Sequence, residues 1–339
     1  MSHQLSLLHS PHQKVPYIAA ALPMDAGTCG QHLEEAHKAV LESYPKMHSM
    51  LVVRHGKLIF ERYYGGFQAG MLNDLRSATK SFVALLAGIA MDNAEMPGIE
   101  TPLTEALAHE LPRFASPLLG RLTLHHLLSM TSGFRWITGK KLGEPLVRNL
   151  QRSRRFTSYI LNLPVDENQI GVFQYRSCDS HLISAILSRY TGRDAFSYAK
   201  THLFGPLDIS HAAWVPSPEG HSMGHIGLYL TSRDLAKVGL CLLNGGMYGE
   251  RTIIRPGWLD EMFKVQADGY PAFGQYGYQC WTGVMSGQPY RLAHGHGGQQ
   301  LWLLPDLDAA VVFTAESAVS RYRNPRRLVE QHIIPAMTR

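Results

Sequence analysis

The hydrophobic positions of this chain change period twice. From Gly30 to Ser43 apolar residues recur at helical spacing, and the segment predicts an amphipathic helix. Met50-Leu51-Val52-Val53 and the run from Lys57 to Tyr63 are strand-like, joined by Arg54-His55-Gly56, a hairpin signal. From about residue 77 to 210 helical signals take over. Ser81 to Met91 is an apolar run, while Leu122 to Met130 and Asp179 to Tyr190 carry helical spacing, with connections such as Met96-Pro97-Gly98 between them. After Gly224 the pattern swings back. Thr231 to Leu243 reads as a helix entered through a Thr-Ser-Arg-Asp cap and ended by Asn244-Gly245-Gly246. Tyr276 to Thr282, Leu301 to Leu304 and Ala309 to Thr314 are strand candidates, and Arg326 to Met337 predicts a closing helix. Strands therefore lie towards both ends of the chain, around a large helical insertion.

Composition narrows the class. A chain of 339 residues, 45% hydrophobic and 17% charged, is an ordinary globular protein. No run approaches the ~18 apolar residues of a membrane span. Met1 to Lys14 is polar and His-rich and does not read as a secretory signal. Cys29, Cys178, Cys241 and Cys280 form no C-x-x-C pair, which fits free thiols in a reducing compartment and makes the cytoplasm the expected location. The net charge is +5, with basic stretches at Lys140, Lys141, Arg148, Arg152, Arg154 and Arg155, against Glu144 alone, and at Arg321, Arg323, Arg326 and Arg327. Neither carries aromatic interleaving or a nucleic-acid module, so both read as solvated faces, and neither nucleic acid nor membrane is an expected partner.

The chemistry concentrates in three places. Ser77-Ala78-Thr79-Lys80 precedes the strong helix former SFVALLAGIAM. A serine at the mouth of such a helix lies near unpaired N–H groups, and a lysine three residues on shares its face. A serine hydroxyl is a weak nucleophile until a base stands beside it, and a buried lysine has its pKa lowered towards that task. The spacing alone is weak, since about one chance match is expected in a chain of this length. Ser43-Tyr44-Pro45-Lys46 and Ser197-Tyr198-Ala199-Lys200 match equally well. Pro45 breaks the first of these, and Ser197 sits in an amphipathic run where a surface or packing role is the plainer reading. Downstream, Tyr175-Arg176-Ser177 offers a tyrosine able to pass a proton if a cation stands by, although most buried tyrosines are simply packed. Finally, glycines at 295, 297 and 298 around His294 and His296 allow close backbone approach, and a strand N–H there could supply half an oxyanion hole. As metal ligands the two histidines lack a third ligand cluster, so neither metal nor cofactor is expected.

In this order the three elements resemble the serine β-lactamase and penicillin-binding superfamily, especially its class C-like esterases and amidases. Framing segments from 122 to 136, 180 to 192, 203 to 210, 230 to 246 and 276 to 281 look familiar as well. Tyr175-Arg176-Ser177, Trp136 after Ser-Gly-Phe-Arg, and Gly295-His296-Gly297-Gly298-Gln299 resemble the 6-aminohexanoate-dimer hydrolase branch. The implied fold is α+β: an antiparallel sheet flanked by helices, drawn from 31–76 and 216–339, with a helical region 77–215 and an N-terminal extension 1–30. The resemblance implies Ser77, Lys80 and Tyr175 as catalytic residues. It implies Ser77, His296, Gly297 and Gly298 as oxyanion and site wall, and Ser177, Trp136 and His294 as substrate contacts. The expected activity is hydrolysis of a small ester or linear amide through an acyl-enzyme. Serine stands where true lactamases place asparagine, and no Lys-Thr-Gly occurs, so β-lactamase or D-alanyl-D-alanine peptidase activity is the alternative. A catalytically inactive peptide sensor on the same scaffold is a third reading, although the three residues it would be expected to lose are all present. An α/β-hydrolase would carry G-x-S-x-G, which is absent.

Overall fold

The computed structural model describes residues 18–139 and 142–338. The expectations for the polar N-terminus and for Lys140 and Lys141 lie outside these residues. Helix α1 (Gly30–Ser43) buries Leu33, Ala36 and Val40, the stripe that its spacing predicts. Strands β1 (Met47–Arg54) and β2 (Lys57–Tyr63) are joined by His55 and Gly56, both with positive φ, the backbone that a two-residue hairpin turn requires. After β3 (Asn73–Asp74) comes α2 (Thr79–Asp92), buried continuously from Thr79 to Ala90, with the run from Phe82 onward apolar on every side. Helices α3 (Ser177–Thr191) and α4 (Ala195–Ala199) follow, then β4 (Ala212–Trp214) and β5 (Leu228–Leu230). Helix α5 (Ser232–Leu243) starts at Thr231, whose side chain accepts from the Asp234 N–H as the cap pattern predicts. A small hairpin, β6 (Met247–Tyr248) and β7 (Arg251–Thr252), precedes β8 (Ala267–Tyr270), β9 (Gly274–Tyr276), β10 (Trp281–Met285), β11 (Gln288–Gly295), β12 (Gln299–Leu304) and β13 (Ala309–Ala315).

The main sheet runs β2-β1-β13-β12-β11-β10-β9-β8, antiparallel throughout. Both of its faces are covered. Leu51, Val53, Ala310 and Val312 pack with α2, α3 and α5, whereas Met50, Val52, Val311 and Phe313 pack with α1 and the C-terminal helical segment 326–338. The period of two thus distributes β1 and β13 between two cores, one on each side. Gly239 of α5 lies so close to the sheet that a Cβ there would stand 2.9 Å from Leu301 Cδ1. The second sheet, β3-β5-β4, brings the residues just before Ser77 against Leu228–Leu230. Among the described residues no helix is long and apolar enough to cross a membrane.

Two elements differ from the sequence reading. The expected strand from Tyr276 to Thr282 is two strands, β9 and β10, paired through Tyr276 and Trp281 around a tight loop. Gln279 is the reason. Its backbone takes φ 54°, and its N–H and side-chain amide donate to the Leu127 and Leu128 carbonyls. Its side-chain and backbone oxygens accept from Ser180 and Ser81. Bonds to three helical segments outweigh continuation of one strand. The helix expected over Leu122–Met130 is only Leu124–Leu128, opened by a capping box of Thr123 and His126 and stopped before Met130, which has φ 58°.

Candidate active site

Ser77 is delivered by a sharp turn. Leu75 N–H bonds to Leu228 O, and Arg76 then adopts φ 48°, an uncommon conformation for a side-chain-bearing residue. Its guanidinium holds that turn in place by donating to Ser317 O at 2.9 and 3.2 Å and pairing with Asp74 at 3.3 Å. Ser77 thus sits in the 3-10 turn Arg76–Ala78 immediately before α2, half-buried and open to approach.

Lys80 lies one turn on, 1% exposed, its ammonium donating to Ser77 Oγ at 3.0 Å and to the His225 carbonyl at 3.0 Å. Burial lowers its pKa to about 8, against opposing fields from Glu144 and Cys178. The His225 ring beside it is buried too and held neutral, its pKa driven well down by desolvation and by Lys80. Tyr175 is buried with its ring 4.9 Å from Lys80 Nζ and stacked on Trp281 at 5.9 Å. Desolvation first, and then Glu144, push its phenol upward, while a hydrogen bond with Ser77 works the other way. Lys80 from the next turn and Tyr175 from far downstream therefore converge on the Ser77 hydroxyl.

The other two Ser-x-x-Lys copies do not pair. Ser43 ends α1 before the Pro45 turn, and Ser197 Oγ donates to Asp194 Oδ2 at 2.8 Å. The buried Arg176 fixes Tyr175, although sequence reasoning gave it no role. It spans the Phe134, Met130 and Gln174 carbonyls at 3.0, 2.9 and 3.3 Å.

The end of β11 forms the opposite wall. A Cβ on Gly295 would lie 2.1 Å from Leu75 O and 3.2 Å from Ala78 N, so only glycine lets this strand press against the Ser77 turn. Strand β10 pairs with β11 only as far as Leu292, which leaves Ala293 to Gly295 bonded on the β12 side alone among the described strands. A cavity of about 450 Å³ opens beside the following turn, lined by Gly297, Gly298, Tyr322 and Arg323. Ser77 is not among its lining residues.

The histidines and the Tyr-x-Ser serine are placed differently from the expectation. His294 is buried, its Nδ1 accepting from Gln300 at 3.0 Å and its Nε2 3.4 Å from Tyr322 OH, and desolvation lowers its pKa to about 4. Both of its ring nitrogens are engaged within the fold. His296 stands at the surface with Nε2 2.6 Å from Val319 O and its ring edge-on to Tyr322. Its backbone borders the site, but its side chain is engaged elsewhere. Ser177 and Trp136 are both taken by Glu144. Its carboxylate accepts from Ser177 Oγ at 2.6 Å, Ser177 N–H at 2.7 Å and Trp136 Nε1 at 2.6 Å. Sequence reasoning missed Glu144 at the site. The available signal was that it stands alone among the basic residues from 140 to 155.

The family model for Beta-lactamase matches residues 43–332. The chain belongs to the Beta-lactamase family. This member is 25% identical over 285 residues to 6-aminohexanoate-dimer hydrolase of Paenarthrobacter ureafaciens, a match covering 78% of the chain and 71% of the relative. In structure it is similar to a Bacillus anthracis protein provisionally named 6-aminohexanoate-dimer hydrolase, with TM-score 0.73 and 18% identity over 95% of the chain and 87% of the neighbour. It is similar also to a D-stereospecific amidohydrolase from Streptomyces sp., with TM-score 0.70 and 14% identity over 90% and 98%. Identities this low in the two structures establish the shared α+β fold and nothing finer.

Proposed function

We propose that this Beta-lactamase family member is a serine hydrolase that cleaves small esters or linear amides through an acyl-enzyme on Ser77. One observation carries the reading: a buried lysine with a pKa lowered to about 8 donates to the only Ser-x-x-Lys serine that Tyr175 also reaches. Burial disfavours both the ammonium and the phenolate, so Tyr175 rests as the neutral phenol and Lys80, with a pKa of about 8, gives up its proton far more readily than a free lysine. Lys80 then takes the Ser77 proton as Oγ attacks the carbonyl carbon. The proton passes through the Lys80–Tyr175 pair to the departing alkoxide or amine, the bond to the leaving group breaks, and water hydrolyses the acyl-enzyme with the same groups. The oxyanion lies between the Ser77 N–H and a backbone donor at the end of β11, a contact typically worth about 3 kcal/mol. The named activity of the Paenarthrobacter relative favours linear amides among possible substrates, and a cytosolic small molecule is the expected source.

A neutral His294 does not replace a cationic lysine as an anchor for a carboxylate, which argues against β-lactams and D-alanyl-D-alanine peptides as preferred substrates. The decisive experiment is intact mass after fluorophosphonate labelling. Wild type and Ser197→Ala shift and Ser77→Ala does not; a shift surviving in Ser77→Ala overturns the nucleophile, and no shift in wild type favours an inactive sensor. In the same preparation short-chain nitrophenyl esters are turned over at least about tenfold more efficiently than nitrocefin, a gap of about 1.4 kcal/mol. The reverse order overturns the substrate class and leaves the nucleophile standing.

A further inference from the structure

Residue Glu144 belongs to the segment before Leu146, 33 positions upstream of Ser177, yet its carboxylate closes on the first turn of α3. It accepts the Ser177 N–H and hydroxyl and the Trp136 indole N–H at 2.6–2.7 Å, the short distances of charge-assisted bonds. Trp136 and Ser177 are each 1% exposed, so both partners are fully withdrawn from solvent. Tyr175 lies two residues before Ser177, and Glu144 is thereby tied to the backbone that aims the phenol at Ser77. We propose that Glu144 is the positioning residue of this site, locking Trp136 to the start of α3 and supplying the negative charge that Lys80 and Tyr175 feel. The proposal rests on acyl transfer at Ser77.

The groups facing the pair are neutral near pH 7 apart from the guanidinium of Arg176, which is bonded to backbone carbonyls, and the partly ionised carboxyl of Asp179. The Cys178 thiol on α3 is pushed well up by burial, and the His225 ring before β5 is driven well down. Tyr322, which adds to the field on Tyr175, is itself raised by burial, and Tyr270 acts there as a further phenol. Asp179, farther along α3, accepts from Ser132 Oγ at 2.7 Å and has a pKa raised to about 7 by burial. Glu144 heads the fields opposing the fall in the Lys80 pKa and follows only burial among the causes raising Tyr175. An anion stabilises the ammonium, so removing it lets Lys80 lose its proton at lower pH.

The test is the pH profile of kcat/KM for a nitrophenyl ester in wild type, Glu144→Gln and Ser177→Ala. Glu144→Gln preserves shape and removes charge. Its rising limb moves to lower pH by roughly half a unit or more, as expected for one nearby charge. Its kcat falls roughly tenfold with KM little changed, as expected for a misaimed Tyr175. Ser177→Ala removes one donor and leaves the carboxylate, so its limb stays with wild type. If Glu144→Gln does not fold, Glu144→Asp serves as the second probe: withdrawing the charge by one methylene moves the limb the same way by less. Fluorophosphonate labelling keeps the two questions apart. Failure to label wild-type Ser77 overturns the acyl-transfer reading, whereas an unmoved limb in a labelled Glu144 variant overturns the role of Glu144.

Discussion

Ser77–Lys80 and Ser197–Lys200 are the same residue types at the same spacing, each at the start of a helix. At the first, the lysine is 1% exposed and donates to the serine. At the second, the lysine is exposed over the Phe196 ring at 4.7 Å, and the serine donates to the capping Asp194. The difference arises in the helix that each pair belongs to. A helix apolar without a break from Phe82 to Met91 is driven into the core and carries Lys80 with it, whereas α4 and the turn that follows it leave Lys200 in water. Desolvation then moves the lysine pKa, and a neutral amine beside a hydroxyl is a base. Spacing nominates a Ser-Lys pair; burial selects it.

The largest effect that sharpens this contrast is at the selected pair. Lys80→Ala and Tyr175→Phe each lower kcat by roughly a thousandfold, and the double variant is little worse than the poorer single, because groups that act as one proton-transfer unit lose their function together. Fully additive losses in steady-state kinetics would show independent roles. With Lys80 as the base, kcat/KM rises with pH through about 8, since deprotonation creates the active form. A profile falling through that region would assign the resting charge to Lys80 and the base to a Tyr175 phenolate. The titrations are coupled, so the apparent value belongs to the pair.

Much of the architecture was legible because it rests on local pattern. The bounds of α1, the cap of α5 and strands β12 and β13 follow from periodicity and turn residues, and the choice of Ser77 followed from the apolar run behind it. The positions whose surroundings the sequence did not reveal depend on partners elsewhere in the chain. Ser177 and His294 looked like substrate contacts because their types and places resemble a familiar motif. Their hydrogen-bond capacity is consumed by Glu144 and by Gln300 and Tyr322. The break at Gln279 obeys the same rule, since its four helical partners lie between 81 and 180. A side chain's type advertises a donor or acceptor, but only the fold says whether that capacity is still free.

An intermediate effect is expected where the sheet meets the Ser77 turn. Gly295→Ala places a methyl 2.1 Å from Leu75 O, so β11 or the turn must retreat. A shift of that size between nucleophile and oxyanion donor lowers kcat/KM by roughly ten- to a hundredfold. Gly287→Ala is the control. It carries a backbone penalty at φ 76°, which Gly295 does not, but meets nothing within 4 Å at the other end of β11, so it costs stability and leaves turnover intact. Equal kinetic losses in both variants would mean that general sheet strain, not the local contact, governs the rate.

The smallest effect belongs to the pair that burial passed over. Ser197 Oγ donates to Asp194 Oδ2 at 2.8 Å, while Asp194 Oδ1 accepts from the Phe196 and Ser197 N–H groups at 2.9 and 3.1 Å and caps α4. Ser197→Ala removes the hydroxyl bond and leaves both capping bonds, so the loss of stability is one partly exposed hydrogen bond, about 0.5–1.5 kcal/mol. Urea unfolding monitored by circular dichroism measures that loss, and ester turnover under native conditions stays at the wild-type value. Lys200→Met removes the cation over Phe196, a contact worth about 0.5–1 kcal/mol at an exposed position, again without kinetic consequence. A fall in turnover in either variant that stability does not explain would give the second pair a part in the chemistry. The argument that burial separates two identical motifs would then fail at its weaker copy.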